Sequence, residues 1–283
     1  MGRLVVSLLM FSFACVELHG QTFANQGYLD NHIWADYGTY AVDTLDHASY
    51  IVHYKTDICT DTLKDERYNS EHVLLVGGRV NKFVPYKKHS YDLQRMRGKV
   101  YATLSNLHYL FIYDAVYTDY SKGSTTFTAR VGAQDYLYEE PIPDMSWSFS
   151  DGVREIEGYT CHLAECDFRG RHYLAWYCEE LPMPYGPYKF GGLPGLVLCV
   201  YDSERHYEFT FSKIESVDIP ITRFEYDYIT SDRKTVNRLS NDFLHNPVVY
   251  EYHHKLKGGW FIDPAKYTQL RNMRYQYDIL ERK

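Results

Sequence analysis

Cysteine and histidine are the residues here best suited to nucleophilic, redox or metal chemistry, so their spacing comes first. The chain holds 6 cysteines. Cys15 lies in an apolar N-terminal stretch, which leaves Cys59, Cys161, Cys166, Cys178 and Cys199. A zinc site needs thiolates or imidazoles paired at short spacing. Cys161 and Cys166 are close in sequence, but no second pair completes a site. A Cys–His dyad fares no better. Cys161 and His162 are strand neighbours and point to opposite faces. Cys178 and His172 share a face but lie roughly 20 Å apart on an extended strand. His253 and His254 repeat the first problem. No H-E-x-x-H or G-x-S-x-G motif is present. Glu155, Glu157, Glu179 and Glu180 read as solvated strand ends rather than a catalytic carboxylate pair. The expectation is therefore no metal, no cofactor and, on balance, no enzyme.

The same cysteines carry a register argument. A two-residue hairpin loop at Arg169-Gly170 would set Phe168 opposite Arg171 and Cys161 opposite Cys178, whereas a three-residue or bulged turn would destroy this pairing. Opposed strand residues come close enough for a disulfide. The odd count leaves at least one thiol unpaired. A bridge including Cys161 is expected, to Cys178 or, as the rival, to Cys199. Arg169 and Arg171 flank the turn glycine and are read either as solvated or as contacts for an anion or partner.

The stretch KFGGLPGLVLCVYD, Lys189 to Asp202, raises a second possibility. A phosphate-binding glycine loop normally follows a strand and opens a helix, so that N–H groups face the anion. This one precedes a strand, and Pro194 removes a donor. The structural reading is that Gly192 and Gly195 permit positive φ or close backbone packing. Together with Leu193, Pro194 and Leu196 they aim a buried strand into the sheet. Tyr185, Tyr188 and Phe190 just before it line a ligand cleft or cover the core.

These residues need elements to hold them. Strands are expected at His47–Tyr54, His72–Val76, Arg79–Pro85, Leu107–Tyr120, Thr125–Val131, Tyr159–Phe168, Arg171–Cys178, Leu196–Tyr201 and His206–Ile214. Leu196–Tyr201 is apolar on both faces, so it should be central. In the last strand Tyr207, Phe209 and Phe211 share one face. Cys59–Ser70 reads as a polar loop and Asp151-Gly152 as a turn. Helical spacing of Leu93, Met96, Val100 and Leu104 predicts a helix over 91–106. Ser231 is the expected N-cap of a helix over 232–245. A strand over 248–254 and a helix over 263–273 should follow.

Arg3 and the apolar run Leu4–Ala14 read as a secretory leader, too short to span a bilayer comfortably. Cleavage after Gly20 leaves Gln21 first; lipoprotein processing at Cys15 is the alternative. Residues 21–283 then form one β-rich domain, with 21–46 an extended arm. A formal charge of −7 and no basic stripe argue against nucleic acid. The 29 tyrosines suit strands and wet, amphipathic contact surfaces.

Gly158-Tyr159, Cys161, Ala164, Gly170-Arg171, Ala175-Trp176-Tyr177, Pro182, Gly186-Pro187 and Gly192-Leu193-Pro194-Gly195-Leu196 together resemble the signature of the GLPGLI family. These are secreted proteins of Bacteroidota, mostly without assigned function. Val197 stands where the family usually has Ile, and Cys178 and Cys199 depart from its pattern. The specific match covers roughly a sixth of the chain, with a looser one at Tyr277–Glu281 (YDILE). The family is distantly similar to the bowl-like N-terminal domain of a glycan-removing amidase. That resemblance implies a mainly β fold: a strongly curved antiparallel sheet, bowl or half-barrel, with two or three covering helices. It does not carry over amidase activity. The leading expectation is an extracytoplasmic binding or accessory protein, in periplasm, outer membrane or secreted, with an envelope protein or a hydrophobic or glycan-like ligand as partner. The rivals are a secreted hydrolase or cysteine-dependent redox enzyme, and an assembly protein with no small ligand.

Overall fold

Tight hairpins between long alternating runs build this protein strand by strand. A computed structural model describes residues 41–96, 115–131, 134–245 and 280–282. In chain order the elements are β1 (Val42–Asp61), β2 (Glu66–Gly77), β3 (Val80–Pro85), α1 (Tyr86–Met96), β4 (Ala115–Asp119), β5 (Ser124–Val131), β6 (Gln134–Pro141), β7 (Ser148–Ile156), β8 (Tyr159–Phe168), β9 (Arg171–Cys178), β10 (Leu196–Asp202), β11 (Tyr207–Phe224), β12 (Ile229–Thr230) and α2 (Arg233–His245). The strands form one 12-stranded sheet, ordered β12-β6-β5-β4-β3-β2-β1-β11-β10-β9-β8-β7. Every pairing is antiparallel except β12 with β6. The mainly β, few-helix expectation holds. Among the described residues β12 and β7 are the edge strands, and the sheet is open rather than a closed barrel.

The sheet curls around its aromatic face. β3 and β11 are three strand positions apart, roughly 14 Å in a flat sheet. Yet the rings of Phe83 and Phe209 lie 5.8 Å apart, with His72 of the intervening β2 stacked on Phe83 at 5.1 Å. The concave face carries the main core: Tyr54, Tyr173, Val200, Phe209 and Phe211 from the strands, and Val236, Leu239 and Phe243 from α2. A second cluster of Ala48, Val73, Leu75, Val80, Val84, Tyr117 and Ile221 lies on the other face, where α1 packs on β2 and β3.

Several expectations need correction. Cys59–Ser70 is not a loop. β1 and β2 run through it and leave only residues 62–65 as a turn, where the Asp61 carboxylate accepts from the N–H groups of Leu63 and Lys64. The polar sequence reflects strand ends carrying cross-strand ion pairs, such as Arg67 Nε on Asp57 at 2.9 Å. The last residues of the supposed arm, 42–46, belong to β1, with Val42 paired to Phe224. Asp151-Gly152 is a bulge inside β7, where the register slips between Ser150 and Val153. α2 is capped by Asp232, which accepts from Thr235 N at 3.0 Å. α1 starts five residues earlier than expected, and its buried face is polar: Lys88, His89 and Asp92. The expected strand over 248–254, the helix over 263–273, and residues 97–106 and 107–114 of two further elements lie outside the described residues, as does the leader.

The hairpin register is as expected. Phe168 pairs with Arg171 and His162 with Tyr177. Arg169 and Gly170 both take left-handed φ, at 49° and 85°, as a two-residue primed turn requires. β10 is buried along its whole length, as its two-sided apolar sequence implied.

Candidate functional site

The signature loop, residues 181–195, is shaped by backbone bonding rather than by helix or strand. Gly192 N donates to Pro184 O, Leu196 N to Leu181 O and Val197 N to Tyr185 O, at 2.9–3.0 Å. Its two outer glycines do different jobs. Gly195 lies against β9; a Cβ built there would sit 1.8 Å from the carbonyl oxygen of Cys178. Gly192 has open space around it but a φ of 82°. Leu193 and Leu196 are buried, while Pro194 points outward. The loop thus delivers β10 by close backbone approach at Gly195 and a left-handed bend at Gly192.

Phe190 is core, with its ring 4.7 Å from that of Tyr173. Tyr185 is half-buried and faces Tyr120 at 5.0 Å. Tyr188 donates its hydroxyl to Glu281 at 2.7 Å; burial, then the Glu281 carboxylate, hold that phenol protonated well above its usual range. Lys189 is fully enclosed. Its Nζ reaches Glu281 at 2.6 Å, Glu140 at 2.8 Å and the Tyr138 hydroxyl at 3.0 Å.

Both hairpin arginines make ion pairs within the chain. Arg169 bonds Glu281 at 2.8 Å and Glu140 at 3.0 Å. Arg171 is buried on Asp202 at 2.8 Å. Both are structural ion pairs, and the turn is not simply solvated. Asp202, Glu204 and His206 gather ligand atoms that could hold a metal ion. The Arg171 guanidinium already lies among them, at 2.8, 3.3 and 3.5 Å. A cationic side chain supplies there the charge a metal would bring.

All five described cysteines are free and buried, so the expected Cys161–Cys178 or Cys161–Cys199 bridge is not formed although the register behind it is present. Burial pushes the Cys161 and Cys166 thiols up to about 12. Such thiols are poor nucleophiles.

What the loop does build is a cavity. It occupies about 270 Å³ between the concave sheet and the signature loop. The register explains its floor. One cross-strand row runs Asn81–Thr118–Thr125, continuing to Glu140. The next row runs Leu74–Phe83–Val116, continuing to Phe127. A polar stripe thus lies beside an apolar one. Gly186, Tyr188, Phe190 and Gly191 form the roof on one side, and Ile142 to Met145 on the other. Trp147 Nε1 donates to Gly191 O at 2.8 Å and ties the two sides together. A smaller, more apolar hollow of about 100 Å³ adjoins it through Phe83, Val116 and Tyr188.

Of the three aromatics singled out in the sequence, Tyr188 and Phe190 line the cavity and Tyr185 does not, and the floor was missed. Asn81 and Thr118 sat unremarked in ordinary strands. The signal available was a polar residue inside the short, wholly buried run Val80–Pro85. The same strand hides a second feature. Lys82, on the opposite face, reaches Asp92 of α1 at 3.5 Å and Thr222 O at 2.9 Å. Lys88 Nζ bonds Asp92 at 2.9 Å. Burial lowers Lys82 to about 8, with Asp92 opposing the shift.

These observations define a class: an open, curled, mainly antiparallel β-sheet whose signature loop roofs a ligand-sized cavity. Residues 169–199 are similar to a family described as a protein of unknown function, Porph_ging. That segment runs from the β8–β9 turn through the cavity roof into β10. Two solved structures of PNGF-II, in C2 and P21 space groups, resemble the chain at TM-score 0.44 and 11% identity, over 68% of this chain and 32% and 33% of theirs. The chain spans about a third of the length of those proteins. No curated protein matches it. Among the described residues no helix is long and apolar enough to cross a membrane.

Proposed function

We propose that this chain is an extracytoplasmic, non-catalytic binding or accessory protein of the GLPGLI type, serving the cell envelope and holding a small ligand under its signature loop. One observation carries the reading. The stretch that matches a family model is the stretch that roofs the cavity of about 270 Å³. A pocket of mixed aromatic and polar lining, formed by elements that are already fixed in place, is the usual form of a small-molecule site. The buried, high-pKa thiols support a binding role over a cysteine-dependent one. The apolar run at Leu4–Ala14 supports export.

Native mass spectrometry of protein recovered from its own cell envelope tests both halves. The expected species begins at Gln21 and carries a small molecule that is lost on unfolding. Protein that stays in the cytoplasm with its leader intact would remove the envelope role. A bare chain in every preparation would remove the binding role, and a lipidated Cys15 would make it a membrane-anchored form.

A further inference from the structure

We propose that the cavity under the signature loop selects a neutral, ring-sized ligand bearing a carbonyl group, with Asn81 as the hydrogen-bond donor that recognises it. The inference rests on the binding role above and adds the ligand's chemistry.

Asn81 is the key. Its side chain is buried at the polar row of the cavity floor. The Oδ1 atom accepts from Gly77 N at 3.1 Å, at the β2–β3 turn. That bond fixes the amide orientation, because a backbone N–H can only face the oxygen. The Nδ2 group is therefore directed away from the turn. It is buried and has no partner at full hydrogen-bond geometry; a weak interaction of the amide with the Tyr120 phenol favours that group's ionisation against its burial. A buried donor without a partner is costly, and a ligand acceptor would relieve it.

The surroundings define the rest of the ligand. Phe83 and Val116 form the apolar row beside Asn81 and Thr118. Phe190 and Tyr188 close the cavity from above. A flat ring fits between those walls, with its polar edge turned to the Asn81–Thr118–Thr125 row. Formal charge is not called for. Lys189, the ammonium among the described lining residues, already bonds two carboxylates. An amide or ketone carbonyl accepts from Nδ2 without bringing a charge against the apolar row of Phe83 and Val116.

Benzamide and toluene serve as probes, one with the carbonyl and one without, each titrated calorimetrically into the folded full chain. Wild type should bind benzamide roughly tenfold more tightly than toluene, the worth of one well-placed hydrogen bond to an otherwise unpaired donor. Asn81→Asp keeps the oxygen that caps Gly77 and replaces the donor with a second acceptor. It should lose that preference while still binding toluene. Thr118→Val, a change of one hydroxyl in the same row, supplies a second variant should Asn81→Asp unfold, and should weaken benzamide more than toluene. Equal affinity of wild type for the two probes would overturn the carbonyl assignment while leaving a ligand seen by native mass spectrometry unexplained. Binding of neither probe would overturn it too, as would an Asn81→Asp protein that keeps the wild-type preference.

Discussion

Cys161 and Cys178 lie one position farther from the β8–β9 turn than the paired residues His162 and Tyr177, yet both remain thiols. The Cys161 Sγ donates to the Tyr159 carbonyl at 3.5 Å instead. Burial is the first cause of its high pKa, and the neighbouring Cys178 adds to it. At pH 8 a thiol at about 12 is roughly a thousandfold poorer in thiolate than one at about 9. Iodoacetamide should therefore label Cys161 and Cys166 at least ~100-fold more slowly in native protein than in urea-unfolded protein, read by peptide mass spectrometry. Rapid native labelling of Cys161 would show that the hairpin opens and that the thiol is available for chemistry after all.

At the scale of elements, the joint between β9 and β10 decides how the sheet and the loop meet. Gly195 has no room for a Cβ against the Cys178 carbonyl, and the obstacle is backbone, which cannot rotate away. Gly195→Ala should cost about 2 kcal/mol or more of unfolding free energy, through overpacking. Gly192→Ala meets no atom but must hold a left-handed φ, which costs about 1–2 kcal/mol. Urea melts of the two variants order the effects. A Gly195→Ala protein as stable as wild type would mean that β10 is not fixed by this contact. α1 teaches a different lesson. Its apolar spacing pointed to Leu93 and Met96, but Met96 is exposed and Asp92 is enclosed by two lysines. The Lys82 ammonium on the facing strand selects the polar side of the helix, because a buried ammonium left unpaired would be costlier than the exposed methionine.

Over the whole molecule, the C-terminal segment locks the cavity roof to the sheet. Glu281 accepts from Arg169, Lys189 and Tyr188, and pairs with Arg233 at 3.3 Å. The Tyr173 hydroxyl holds Leu280 O at 3.0 Å, and Arg282 N donates to Arg169 O at 2.9 Å. Glu281→Gln removes one charge from a buried cluster and should destabilise the fold by roughly 3 kcal/mol. A melt unchanged from wild type would show that Glu140 alone satisfies those cations. Acid should act through two histidines. Burial lowers His72 to about 3, and burial with the nearby Lys82 charge lowers His89 to about 4, both from an ordinary 6.5. Groups with depressed folded pKa values leave the unfolded chain holding more protons. Their contribution is intact above about pH 6.5 and is lost as pH falls toward 4 and below, by up to about 1.4 kcal/mol per pH unit for each. Urea midpoints should fall between pH 7 and pH 4.5. A flat profile would mean that neither ring is held neutral by the fold.

Local chemistry made the hairpins legible. A two-residue loop at Arg169-Gly170 implied the register of β8 and β9, where a three-residue or bulged turn would have shifted it, and the two-residue pairing is the one formed. The two-sided apolar run Leu196–Tyr201 read as central, and the glycines before it as positive φ or close packing; Gly192 takes the first role and Gly195 the second. The tertiary structure alone decided which polar residues face the cavity and which bear ion pairs. Asn81 and Lys82 are neighbours in one buried strand; the first meets the cavity floor and the second meets α1, because strand neighbours point to opposite faces and the two faces have different cover. Glu281 lies far along the chain from Arg169 and Lys189, and no periodicity links them. The curl of the sheet does, by bringing β6, the β8–β9 turn, the signature loop and the C-terminal segment around one buried pair of carboxylates. Pairings of that range are fixed by how the layers close, and a linear sequence read by local rules does not contain that closure.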